Sequence, residues 1–162
     1  SLASFSSQGV VVEQPFLNLA DQSWTFEAWI YPENVSEQVE FGIIGQCMVP
    51  ETDKCLHLTI RNRKLYFGFY DDDLNGQEIV NSSTWDYVAF VFDCPSRTQS
   101  IYRNGNLEAS RTTRNCYQGR NGTITFGYVQ YRNATGYFNG LIDQIAFTSR
   151  VKTADEILHT VP

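Results

Sequence analysis

Among the side chains that could do chemistry, one carboxylate stands out by its setting. Read as a strand, the stretch Tyr137–Thr148 puts Leu141, Asp143, Ile145 and Phe147 on one face and Ile142, Gln144, Ala146 and Thr148 on the other. Asp143 then lies in an apolar row, where a carboxylate needs a counter-charge, several hydrogen bonds or a cation. Calcium, held by carboxylate and backbone oxygens, is one expectation. The other is that hydrogen bonds to Asp143 simply fix the last strand. A second group is the acidic loop Asp71–Gly76, where Asp71, Asp73 and Asn75 offer carboxylates and an amide. A third is the stretch Tyr128–Asn133, where Tyr128, Tyr131 and Arg132 offer aromatic faces and a guanidinium, and Tyr137 lies close by. Rings that stack on C–H faces, beside groups that pair with hydroxyls, suit a sugar.

Nucleophilic catalysis finds little support. There is no G-x-S-x-G run, and the two histidines, His57 within a strand and His159 near the C-terminus, read as polar surface. Trp24, Trp29 and Trp85 read as core positions on strands.

The elements that must position these groups are short and extended. Aromatic residues make up 14% of the 162-residue chain and charged residues 19%, a composition suited to a β-sandwich and not to disorder. The length predicts one domain over 1–162, cut from a longer extracellular precursor. The net charge of -6 argues against nucleic acid or an anionic membrane as partner, and no apolar run reaches transmembrane length. Trp24–Tyr31 alternates, with Trp24, Phe26, Ala28 and Ile30 on one face. Further strands are predicted at Gly9–Glu13, Phe41–Cys47, Cys55–Ile60, Lys64–Tyr70, Gln77–Val80, Trp85–Asp93, Ser100–Arg103, Leu107–Arg111 and Ile124–Tyr128. Tight turns are expected at Asn62-Arg63 and Asn104-Gly105. About eleven strands at this spacing predict an all-β, antiparallel two-sheet sandwich. The capping-box pattern Thr153–Glu156 adds one short helix from Ala154 to about His159.

Four cysteines allow three pairings and show no C-x-x-C spacing for zinc. Cys47 ends one strand and Cys55 opens the next. Cys94 and Cys116 return to one rim around the Asn104-Gly105 hairpin. Cys47–Cys55 and Cys94–Cys116 are therefore expected. Sequons at Asn34, Asn81, Asn121 and Asn133, together with an even cysteine count, point to a secreted or cell-surface setting.

Five stretches in order resemble a laminin G-like domain: Trp24–Pro32, the W-x-x-V-A-type strand Trp85–Asp93, the hairpin Ile101–Leu107, Ile124–Gly127, and Phe138–Asp143 with the capped helix from Thr153 to Ile157. The resemblance implies a concanavalin A-like jelly roll. It also supports the calcium expectation, because relatives hold calcium with a late-strand aspartate and backbone carbonyls. Glucanases of this fold carry E-x-D-x-x-E on one strand face. Here only the fragment Glu51-Thr52-Asp53 comes near, so glycoside hydrolysis is the weaker expectation. The expected function is a non-catalytic extracellular recognition or adhesion module that binds glycan or protein through a loop rim. The alternative is a structural module packed against its neighbours.

Overall fold

A computed structural model describes residues 3–6, 8–12, 17–131 and 134–161. Period-two alternation gives each strand one apolar face, and two antiparallel sheets bury those faces against each other. From edge to edge, the first sheet runs β1 (Ala3–Ser6), β14 (Asn139–Thr148), β3 (Trp24–Pro32), β8 (Asp86–Asp93), β9 (Thr98–Arg103) and β10 (Asn106–Thr112). The second runs β2 (Val10–Val12), β11 (Ile124–Phe126), β4 (Phe41–Cys47), β5 (Cys55–Arg61), β6 (Lys64–Gly68) and β7 (Asp73–Asn75). A separate hairpin pairs β12 (Tyr128–Tyr131) with β13 (Ala134–Tyr137), and α1 (Ala154–Leu158) follows the last strand. The architecture is the concanavalin A-like jelly roll, and Thr153 and Glu156 form the expected capping box.

The core is the inward row Trp24, Phe26, Ala28 and Ile30, closed by Val88, Phe90 and Phe92 from β8 and by Leu58, Ile60, Leu65, Phe67 and Phe69 from the facing sheet. The Trp24 ring lies 5.5 Å from Phe67 and 5.7 Å from Phe92. Disulfides join Cys47 to Cys55 and Cys94 to Cys116, as the strand ends suggested.

Several local expectations need correction. The acidic loop contains an edge strand, β7. Residues 77–80 form no strand; they are held by Glu108, which accepts from the backbone N–H of Gln77 and Glu78. Residues 128–131 and 134–137 pair as a hairpin where a loop was expected. Trp85 is 39% exposed, and Trp29 lies on the outer face of the first sheet. With Tyr31 they form an outward aromatic cluster, Trp85 lying 5.3 Å from Tyr31 and 6.5 Å from Trp29. The period-two pattern cannot by itself say which face is the inner one.

The segment after β14 folds back over the rest of that outer face. Ile157 packs on Tyr87, Ala89 and Val91. Lys152 reaches the buried carboxylate of Glu27 at 2.7 and 2.9 Å, and the Tyr87 hydroxyl donates to the same group.

On the other side of the molecule the β12–β13 hairpin lies across β4 on the outer face of the second sheet. Gly42 makes this possible: a Cβ there would stand 2.3 Å from the Val129 nitrogen and 2.5 Å from the Gly136 carbonyl oxygen. Beneath the hairpin His57, expected at the surface, is only 3% exposed; it contacts Cys55 Sγ and hydrogen-bonds the backbone of Gln130. Burial holds its pKa down at about 4.

Two predictions follow from these buried groups. Lys152→Met alone strands the Glu27 carboxylate and should cost about 3–5 kcal/mol in urea denaturation, and adding Glu27→Gln should restore much of that loss. His57 is protonated in the unfolded chain below about 6.5 but in the folded chain only near 4. Its contribution is therefore complete above pH ~6.5 and is lost as the pH falls toward 4. Across that window the native protein should lose up to roughly 3 kcal/mol more than His57→Gln does, measured as the difference in pH slope.

Candidate functional site

Alternation along the second sheet sets its outer face. With Leu56, Leu58 and Ile60 committed to the core, β5 must turn His57, Thr59 and Arg61 outward. Register then aligns two cross-strand rows on that face: Asp73, Gly68, His57 and Gly45, and beside it Asn75, Tyr66, Thr59 and Gly42. Gly68 carries no side chain between Asp73 and His57, and the Tyr66 ring and the Asp73 carboxylate take up that space, 2.5 and 2.7 Å from where a Cβ would stand. His57, Arg61, Tyr66, Tyr70, Asp71 and Asp73 line an open hollow on this face, about 300 Å³ in volume.

The walls are held in place. The Arg61 guanidinium lies 3.8 Å over the Tyr66 ring, and its Nε and Nη2 both donate to Glu40 Oε1, at 3.1 and 2.8 Å. Burial, and then the adjoining Asp73 carboxylate, push the Tyr66 phenol well above its usual range, so it stays a neutral hydroxyl. The Tyr66 hydroxyl donates to the Asp73 carboxylate. Tyr70 and Asp71 form the β6–β7 turn, both with left-handed backbone (φ 68° and 60°), and the turn is closed by Phe69 N–H donating to the Asp72 carbonyl. A left-handed tyrosine is strained and persists only where its surroundings impose it. Here they do. Phe69 is fully buried on one side of the turn. On the other side Asp72 Oδ2 accepts from Arg114 N–H at 2.7 Å, while the Arg111 guanidinium stands 2.8 Å from Oδ1.

A second open hollow, about 540 Å³, lies on the same face across the hairpin; its lining includes Val11, Met48, Pro50, Thr123, Tyr128 and Gln130. Tyr128 and Tyr137 stack obliquely at 5.6 Å. The His57–Gln130 contact joins the two hollows' walls.

The sequence-predicted residues are therefore distributed as follows. Asp71 and Asp73 share the first hollow, and Asn75 lies on the same face one register further along β7. Tyr128 faces the second hollow. Arg132 and Asn133 lie outside the described residues, as does the Tyr131 side chain. Asn34, Asn81 and Asn121 are exposed. His57, Arg61, Tyr66 and Tyr70 were missed as site residues. The alternation of β5 and β6 carried the signal for the first three, since every second residue there is a core aliphatic or aromatic.

Asp143 occupies a different setting from the one expected. A bulge between Asp143 and Ala146, with Gln144 at φ 51°, inserts one extra residue and reverses the faces beyond it. Phe147 therefore packs on Phe26 in the core, at 5.0 Å, while Asp143 is half-buried beside Ile145 and accepts from Gln144 N–H at 2.9 Å. Among the described residues the hollow next to it is lined by Ala3, Phe5, Val10, Phe126, Ile142, Gln144 and Ile145, with no second carboxylate. Calcium takes six to eight oxygen ligands, and these residues do not fit it. The Glu51–Asp53 fragment is no catalytic pair either. Glu51 is exposed and bound to Lys54, whereas Asp53 is buried, accepts from Asn115 Nδ2 at 3.0 Å and has a pKa raised first by burial and then by Asp72.

Comparison with known proteins places this geometry. A candidate carbohydrate-binding protein from Bacteroides ovatus superposes with a TM-score of 0.79 at 18% identity; the match covers 97% of this chain but only 45% of that one. The CBM40 of the Ruminococcus gnavus IT-sialidase, solved with α2,3-sialyllactose, gives 0.76 at 16% identity over 100% of this chain and 98% of its own. Domain 4 of AbnA, a GH43 extracellular arabinanase from Geobacillus stearothermophilus, in complex with arabinotriose, gives 0.73 at 18% identity over 95% and 72%. At such identities the likeness is one of fold. No curated protein matches the sequence. A family model does, over residues 5–158. Together with the two-sheet architecture, that match makes this chain a member of the concanavalin A-like lectin/glucanases superfamily.

Proposed function

We propose that this domain is a non-catalytic extracellular recognition module that binds glycan on the outer face of its second sheet, in the hollow around Tyr66. The observation that carries the reading is the strained Tyr70–Asp71 turn, which presents a ring and a carboxylate to the hollow beside Tyr66 and Asp73. Strain of this kind clusters at ligand sites. The Tyr66 hydroxyl, the carboxylates and the Asn75 amide nearby offer hydrogen bonds for sugar hydroxyls, while Tyr70 offers a ring face. The hollow stands on sheet and tight turn, so little order is gained on binding and little affinity is lost to it. Two similar folds were solved with oligosaccharides bound, which supports the class of ligand. Two disulfides and exposed sequons favour an oxidising, extracellular setting.

One observation favours a second reading. The Trp29–Tyr31–Trp85 cluster on the opposite outer face is the kind of apolar patch that a neighbouring domain or protein would cover. In that reading the domain is structural and binds no free ligand.

A glycan array separates the two. The isolated domain should bind, Tyr66→Ala and Asp73→Ala should each weaken binding by about tenfold or more, and Trp85→Ala should leave it unchanged. An array blank for the folded wild type removes the glycan reading. Loss on Trp85→Ala with Tyr66→Ala silent moves the site to the other face.

A further inference from the structure

Resting on that reading, we infer that the hollow selects neutral glycans and turns away acidic ones such as sialates and uronates. Its charge is lopsided. Asp71 and Asp73 line it and Glu40 stands behind Arg61, so three carboxylates face one guanidinium. Both hydrogen bonds from Arg61 to Glu40 Oε1, and its stacking on Tyr66, already engage that cation. An incoming carboxylate would have to compete with Glu40 for it while standing against Asp71 and Asp73. His57, the other basic group among the described residues that line the hollow, is uncharged at neutral pH because it is buried.

The hydrogen-bond inventory argues the same way. The Asp73 carboxylate takes the hydrogen bond of the Tyr66 hydroxyl, and among the described residues no cation is paired with it in the hollow. Its remaining lone pairs and those of Asp71 can accept from sugar hydroxyls, whereas an ionised sugar carboxylate brings only further acceptors to them. An acceptor set against an acceptor is a repulsive element, and discrimination is built from such elements as much as from attraction. The net charge of -6 on the chain adds a long-range field of the same sign. That a similar fold was solved with sialyllactose does not conflict with this, because ligand preference belongs to the site and not to the fold.

The test uses matched pairs on one array: lactose with α2,3-sialyllactose, and neutral oligosaccharides with their uronate-containing counterparts. The neutral member should bind at least about tenfold more tightly at low ionic strength, and the gap should narrow as salt is added. Asp71→Asn combined with Asp73→Asn should bring the paired affinities to within about threefold, because the repulsive charges are gone. Thermal melting confirms that this variant is folded; if it is not, the salt series on the wild type decides alone. Equal or tighter binding of the acidic members overturns the inference and leaves the glycan reading intact. Binding of neither kind removes both.

Discussion

Much of this molecule follows from where Phe69 sits. Its ring is wedged at the end of the core between Phe92 at 4.9 Å, Tyr117 at 5.0 Å and Phe67 at 5.4 Å. Burying a side chain of this size contributes on the order of 2–3 kcal/mol, so the chain cannot easily withdraw it. Yet the backbone must reverse at the next residue to begin β7. Core packing on one side and the edge strand on the other leave Tyr70 and Asp71 to make that reversal, and they adopt left-handed conformations that neither prefers alone. The site is thus an outcome of core packing and not an independent loop.

Buried charges complete the fixation. Asp72 and Asp53 tie the 48–54 and 69–73 segments to residues 111–118 through Arg111, Arg114 and Asn115, and Asp53 also joins Phe69 and Gln118 through its backbone. Asp86 does the same for the far hairpin, with Arg103 and Asn104 as partners. Asp72 and Asp86 take donors on both oxygens, and Asp53 takes one on Oδ2 from Asn115. Losing any one donor would leave a dehydrated charge, and this makes the rim cooperative.

The sandwich was legible because alternation is a property of each strand by itself. Trp24–Tyr31 and Trp85–Asp93 declared their two faces, though not which of them was the inner one, and Asn62-Arg63 and Asn104-Gly105 declared their turns, both with left-handed backbone at the two central residues. The disulfide pairing followed from where strands end. The failures share one cause, which is that pairing between strands is not written locally. Nothing in Leu141–Phe147 announces the bulge that separates Asp143 from Phe147. Nothing in Tyr128–Tyr137 says that this segment will close as a hairpin over Gly42. The site was half visible for the same reason: Asp71 and Asp73 are polar in a polar stretch and draw notice, whereas His57 and Arg61 sit within an apolar strand and acquire meaning only when register sets them beside Asp73 and Tyr66.

The tryptophans have a spectroscopic consequence. Trp24 is shielded in the aromatic core, Trp29 is half-covered beside Tyr87, and Trp85 is open to solvent. Emission from the folded chain is therefore a composite of one blue-shifted, one intermediate and one red-shifted component. The face bearing Tyr66 carries tyrosines and no indole among the residues lining its hollows. Steady-state tryptophan emission thus reports the integrity of the core and the opposite outer face, and a ligand seated in the hollow beside Tyr66 would leave it almost unchanged.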